Sequence, residues 1–98
     1  MAAGTEKRDG ARMVCIENDM TILNAAALKK LLLDSLDSVP GLLLDLSRVG
    51  EMDTSGFQLL VLIKREAQVT GKGFRIASVS PAVEAVLDLY AMKDFFGL

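Results

Sequence analysis

The chain has 98 residues, 51% of them apolar and 24% charged, with a formal net charge of −2. That length carries one domain with a single modest core, and that composition belongs to a folded chain rather than a disordered one. The charge excludes the basic footprint of a nucleic-acid binder. The absence of histidine removes the commonest general base and metal ligand.

Residues 1–10, MAAGTEKRDG, read either as a flexible tail or as an edge strand. They lack the apolar core of a secretory signal. Asp9-Gly10 suits a type I′ hairpin turn, which would pair residues 4–8 with 11–17. RMVCIE, residues 12–17, is the first firm strand, and it holds the single cysteine, Cys15. A lone cysteine has no partner for an internal disulfide, which suits a reducing compartment, and burial in the strand is the expectation for it.

NDMTIL, residues 18–23, reads as a loop, and Asn24 as a helix N-cap whose side-chain oxygen accepts from free backbone N–H groups. AAALKKLLLDSL follows at helical period. Leu28, Leu31, Leu32 and Leu36 face inward, and Lys29, Lys30 and Asp37 face water. Pro40-Gly41 stops the helix. LLLDL, residues 42–46, is short, continuous and apolar, which favours a buried strand. A loop, SRVGEMDTSG, leads to a second helix over about 55–69, ended by Gly71 or Gly73.

FRIAS, residues 74–78, reads as the last strand. Ser80-Pro81 opens a third helix, with serine at the N-cap and proline at the first helical position. Val83, Val86, Leu87 and Tyr90 form its buried stripe, with Asp88 and Lys93 in water, and DFFGL closes the chain. The longest unbroken apolar run, LLVLI, is far below the ~20 residues of a bilayer span, so a soluble, cytoplasmic chain without direct membrane insertion is expected.

The order β(β)αβαβα predicts a single α/β domain over residues 1–98. Its sheet is mixed but mainly parallel, with four to five strands and three to four helices. The helices suffice to cover one sheet face well.

The junction EMDTSG, residues 51–56, lies at the carboxyl end of a strand and starts a helix, where functional loops gather. Asp53, Thr54 and Ser55 can each supply cap oxygens to the free N–H groups there, and Gly56 lets a neighbour or a partner approach closely. A plain N-capped turn is one reading. It needs one short polar residue, and three stand in succession. The other reading is a phosphorylation site. A helix N-terminus favours the added charge, about −1.5 to −2, and the fold survives it.

The following helix is apolar on nearly every side of its first turns. Leu59, Leu60, Ile63 and Ala67 suit the core, while Phe57 and Val61 lie off that stripe. Burial from two directions explains this. So does a partner-binding patch that Met20 and Met52 would join. Isolated Asp45, Glu51 and Lys64 read as solvated or capping residues. No P-loop and no acid–base pair of interpretable spacing is present, so no enzyme, cofactor or metal is expected.

The ordered pattern LLLDLSRVGEMDTSGFQLLVLIKREAQVTGKGFRIASVSPAVEAVLDL resembles the STAS domain family of anti-sigma-factor antagonists, bacterial proteins of transcription regulation. The resemblance covers about residues 12–96. It implies that the first hydroxyl after the motif aspartate, Thr54, is the phosphoacceptor, with Ser55 as second choice. Many members carry serine there. It also implies that Asp53 shapes the site while Ser55 and Gly56 build the helix start. The loop before the first helix often reads G-E-L-D in the family, and Thr21 here takes the aspartate position.

The partners implied are a GHKL-type anti-sigma kinase, bound only by the unmodified protein, and a PP2C-type phosphatase. The partner face would comprise Met20, Thr21, Met52, Asp53, Ser55, Gly56, Phe57 and Val61. The alternative is a constitutive docking subunit, as on the ATPase of a phospholipid-transport ABC system or in a chemotaxis or two-component setting.

Overall fold

The computed structural model describes residues 3–8 and 11–98. The Asp9-Gly10 turn lies outside the described residues. Residues 3–8 take the strand alternative: β1 (Ala3–Arg8) pairs antiparallel with β2 (Ala11–Ile16), from Arg8 opposite Ala11 to Ala3 opposite Ile16. After α1 (Ala25–Asp37), β3 (Gly41–Leu46) runs parallel to β2. After α2 (Thr54–Val69), β4 (Gly73–Val79) runs parallel to β3. The sheet order is β1-β2-β3-β4, and α3 (Pro81–Leu89) and a 3-10 turn (Asp94–Phe96) complete the chain.

The strands advance in one direction across the sheet. Right-handed crossovers therefore put α1 and α2 on the same face, where they pack together. Val14, Ile16, Leu42, Leu44, Leu46 and Ile76 project from the sheet into that layer. Leu28, Leu32 and Leu36 of α1 and Leu59, Leu60, Ile63 and Ala67 of α2 meet them, all buried. Removing one such leucine side chain costs about 2–5 kcal/mol, so this layer holds the domain together.

Period-two alternation sends Cys15 to the opposite face. It is half-buried there rather than enclosed, which corrects the sequence expectation. Its partner across the pair is Asp45. Burial, then the charges of Asp45 and Glu17, push the Cys15 thiol pKa up, away from the thiolate.

Element ends follow the local chemistry, with two corrections. Asn24 stands at the N-cap of α1 but makes no side-chain cap; its Nδ2 donates to the Asp19 carbonyl at 2.9 Å and braces the loop instead. Tyr90 does not join the buried stripe of α3. It stands just past the helix and is 42% exposed, while Val83 and Leu87 are buried and Val86 is half-buried.

Ser80 caps α3 as expected, accepting from the Val83 N–H at 3.2 Å, with Pro81 beside it. Gly71, at φ 71°, ends α2, with the Lys72 N–H reaching back to the Ala67 carbonyl at 2.7 Å. Lys64 is a brace rather than a solvated residue. Its ammonium donates to the Phe95 carbonyl and lies 4.3 Å from the centre of the Phe95 ring, fastening the chain end to α2.

No helix among the described residues is long and apolar enough to cross a membrane.

Candidate functional site at the start of the second helix

Two loops at the carboxyl ends of β2 and β3 run side by side. Met20 and Met52 form a parallel bridge between them: the Met20 N–H donates to the Glu51 carbonyl at 2.8 Å, and the Asp53 N–H donates to the Met20 carbonyl at 3.2 Å. Asp19 adds to this, its Oδ1 accepting from the Glu51 N–H at 3.0 Å. The junction is therefore a fixed platform rather than a loose loop.

Asp53 is the cap of α2. Its backbone is extended, and its Oδ1 accepts from the Gly56 N–H at 3.1 Å. The other oxygen, Oδ2, accepts from the Ile22 N–H at 3.0 Å, so one carboxylate fastens both loops. The Ile22 N–H, followed by those of Gly56 and Ser55, holds the Asp53 carboxyl below the usual carboxylate range.

Gly56 explains the tight fit. It is buried, and a Cβ there would stand 2.1 Å from the Met20 carbonyl oxygen and 2.8 Å from the Met20 Cβ. The close neighbour anticipated for this glycine is the chain's own backbone.

Thr54 is the first residue of α2 and not a second cap. It is exposed, and its Oγ1 lies 3.1 Å from the Tyr90 hydroxyl. The Tyr90 ring stacks on Phe57, with centroids 4.6 Å apart and planes at 22°. Ser55 is half-buried in a groove of about 440 Å³ between α1 and α2, lined also by Ile22, Ala26, Lys29, Gln58 and Leu62. The three polar residues thus have three different situations.

The other expected face residues divide. Thr21, Met52, Asp53, Phe57 and Val61 are half-buried and keep some surface. Met20 does not: its side chain is fully buried in the core, so it supports the platform from below and cannot touch a partner.

Residues that sequence reasoning missed lie close by. Ile22 is 69% exposed and Leu23 90% exposed on the first loop, and Leu89 is 76% exposed beside Tyr90. An apolar pair inside an otherwise polar loop was the available signal for Ile22 and Leu23. Tyr90 gave none, because its spacing continues the apolar stripe of α3.

A second polar cluster lies further along the sheet end. Asp45 Oδ1 accepts from the Ser78 hydroxyl at 2.7 Å and from the Ser47 N–H at 2.9 Å. Bonds from Ser47 and Ser78 hold its carboxyl below the usual range, as suits a structural clamp across β3 and β4. Among the described residues, no group of three or more potential ligand side chains could hold a metal ion.

A family model described as "Mlab, STAS domain" matches residues 3–98. The chain belongs to the STAS domain family. Several solved structures share its fold. An anti-sigma factor antagonist from Mycobacterium paratuberculosis is 26% identical, with a TM-score of 0.84 over 99% of this chain and 83% of that one.

A serine-to-glutamate variant of RsbS from Moorella thermoacetica is 25% identical, with a TM-score of 0.69 over 100% of this chain and 80% of that one. The anti-sigma factor antagonist SpoIIAA in its unphosphorylated form is 14% identical, with a TM-score of 0.75 over 95% and 84% of the two chains. The phosphorylated form of SpoIIAA, from Bacillus, has the same identity and a TM-score of 0.71 over 95% and 86%.

Proposed function

We propose that this protein is a phospho-regulated binding switch: an anti-sigma-factor antagonist that engages a GHKL-type anti-sigma kinase while Thr54 is unmodified and is released once Thr54 is phosphorylated. The observation that carries this reading is the position of Thr54. Its hydroxyl is exposed at the amino end of α2 beside Tyr90 and the Phe57 ring stacked on it, and the neighbouring Asp53 is tied to the loop that exposes Ile22 and Leu23. Kinship with an anti-sigma factor antagonist at 26% identity supports the same reading.

The chemistry is a phosphoryl transfer. Thr54 Oγ1 forms a bond to the γ-phosphorus of ATP, the bond to the bridging oxygen breaks, ADP leaves, and the hydroxyl proton passes to a base of the kinase. A PP2C-type phosphatase would return the hydroxyl by hydrolysis. The helix withstands the added dianion, because Asp53 remains the cap and the helix end carries partial positive charge. The binding face does not withstand it. A dianion among apolar side chains must be desolvated to form the complex, and among the described residues no cation is bonded to Thr54 to offset the cost. Ser55 is the lesser acceptor, being half-buried in its groove.

The test is incubation with the cognate kinase and ATP, with phosphate mapped by mass spectrometry and partner affinity measured for Thr54→Glu. Phosphate on Thr54 and a loss of affinity of tenfold or more are expected. No phosphate on Thr54 or Ser55, together with unchanged affinity of Thr54→Glu, defeats the reading.

One observation favours a second reading, a constitutive docking subunit on a partner such as the ATPase of a phospholipid-transport ABC system. The Thr54 hydroxyl is already committed to Tyr90 in a built contact, which suits a permanent interface. A stable ATPase complex that Thr54→Ala abolishes without unfolding the protein would favour docking.

A further inference from the structure

Tyr90 joins two parts of the molecule that are otherwise separate. It follows α3, and the chain turns sharply behind it: Ala91 sits at φ 53°, a left-handed backbone that a Cβ disfavours. The turn is closed by the Met92 N–H to the Leu87 carbonyl at 2.9 Å and by the Ala91 N–H to the Asp88 carbonyl at 3.0 Å. Tyr90 is therefore presented from a rigid helix end.

Its side chain is not held by burial, being 42% exposed. Among the described residues, a ring stack on Phe57 and a hydroxyl contact to Thr54 hold it, both to the first turn of α2.

We propose that Tyr90 is the positioning residue that reads the modification state of Thr54 and carries it to the end of α3. The proposal rests on the reading of Thr54 as the acceptor. In the unmodified protein one of the two hydroxyls donates to the other across 3.1 Å, and the bond links the two side chains. Phosphorylation replaces the Thr54 hydroxyl proton by phosphorus, so Thr54 can no longer donate to Tyr90, and it sets charged phosphate oxygens beside the Tyr90 hydroxyl.

Tyr90 then leaves its seat on Phe57, and its hydroxyl becomes a donor to a phosphate oxygen, a charge-assisted bond stronger than the one lost. The highly exposed Leu89 stands next to it at the end of α3. The change seen by a partner thus extends beyond the new charge to the Tyr90 ring at the end of α3, beside Leu89.

The chain has one tyrosine and no tryptophan, so its ultraviolet emission reports Tyr90 alone. The experiment compares wild type, Thr54→Ser, Thr54→Glu, and Thr54→Glu in a Tyr90→Ala background, by that emission and by backbone amide resonances. Thr54→Glu is expected to change Tyr90 emission and to shift the amides of residues 89–92. Thr54→Ser, which keeps the hydroxyl, should match wild type. In the Tyr90→Ala background the shifts should stop at the first turn of α2.

Shifts confined to residues 53–57 in an intact Tyr90 protein, or shifts at 89–92 that persist without Tyr90, overturn the proposal. None of these measurements uses a kinase. A failure of Thr54 to become phosphorylated is therefore distinguishable from a failure of the Tyr90 link.

Discussion

The second and third helices begin alike and end up with different duties. Each follows a strand, and each is capped by a short polar side chain that accepts from the N–H three residues on: Asp53 from Gly56 at 3.1 Å, Ser80 from Val83 at 3.2 Å. Ser80 is buried and has proline next to it, so that junction is closed. Asp53 instead spends its second oxygen on another loop, and the residue after it presents an exposed hydroxyl beside exposed apolar side chains. A cap alone is a device of folding. A junction acquires chemistry when a reactive group stands outside the cap on a platform that the cap keeps rigid.

The sharpest way to break the comparison is Gly56→Ala. The added carbon would meet backbone 2.1 Å away, and backbone cannot rotate aside as a side chain does. A loss of about 3 kcal/mol in denaturant unfolding is expected, at the upper end of overpacking costs. Gly71→Ala is the control. It has open space around it and only the strain of φ 71°, so about 1 kcal/mol is expected. Equal costs at the two sites would mean that the loops around Met20 can part freely, and the platform would not be rigid.

The two caps come next. Ser80→Ala should cost about 1 kcal/mol, the usual value for a lost N-cap. Asp53→Ala should cost more, because it also releases the Ile22 N–H and uncouples the loops. Acid should distinguish them too. The Asp53 and Asp45 carboxyls are held below their ordinary value of 3.8, so the unfolded chain binds their protons more readily. Their contribution is complete above that value and is lost as the pH falls through the lower folded values. Unfolding midpoints taken from pH 6 down to pH 2 should fall below about pH 4. Asp53→Asn should flatten that fall, and Ser80→Ala should leave it as it is.

Much of this contrast was legible in the residues. The Ser80-Pro81 start, the leucine stripe of α1, and the helix beginning at the DTSG stretch follow from local rules, and the structure agrees to within a residue. Local rules failed where a contact outside the element decided, whether near in the chain or far along it. Asn24 has the right chemistry for a cap, but the Asp19 carbonyl takes its amide. Met20 looks like an adaptable surface residue in a polar loop, yet the pairing with Met52 draws it into the core. Tyr90 fits the apolar stripe of α3, and only the placement of α2 next to that helix end reveals its hydroxyl partner. Contacts between residues 31 to 36 positions apart leave no periodic trace in a sequence.

The smallest expected stability effect is at the residue with the largest expected functional one. Thr54→Val keeps the shape of the side chain and removes a single exposed hydrogen bond, so unfolding should change by less than about 0.5 kcal/mol. Binding should respond otherwise. The valine protein keeps the apolar rim of Ile22, Leu23 and Phe57 and cannot accept phosphate, so it should hold its kinase partner whether or not ATP is present, while wild type is released over time. Gel filtration of the two mixtures with and without ATP reads the outcome directly. Release of the valine protein by ATP would place the controlling hydroxyl elsewhere, with Ser55 the next to be changed. A large loss of stability in Thr54→Val would mean that the hydroxyl belongs to the scaffold, as Ser80 does, and that the two helix starts differ less than their exposures suggest.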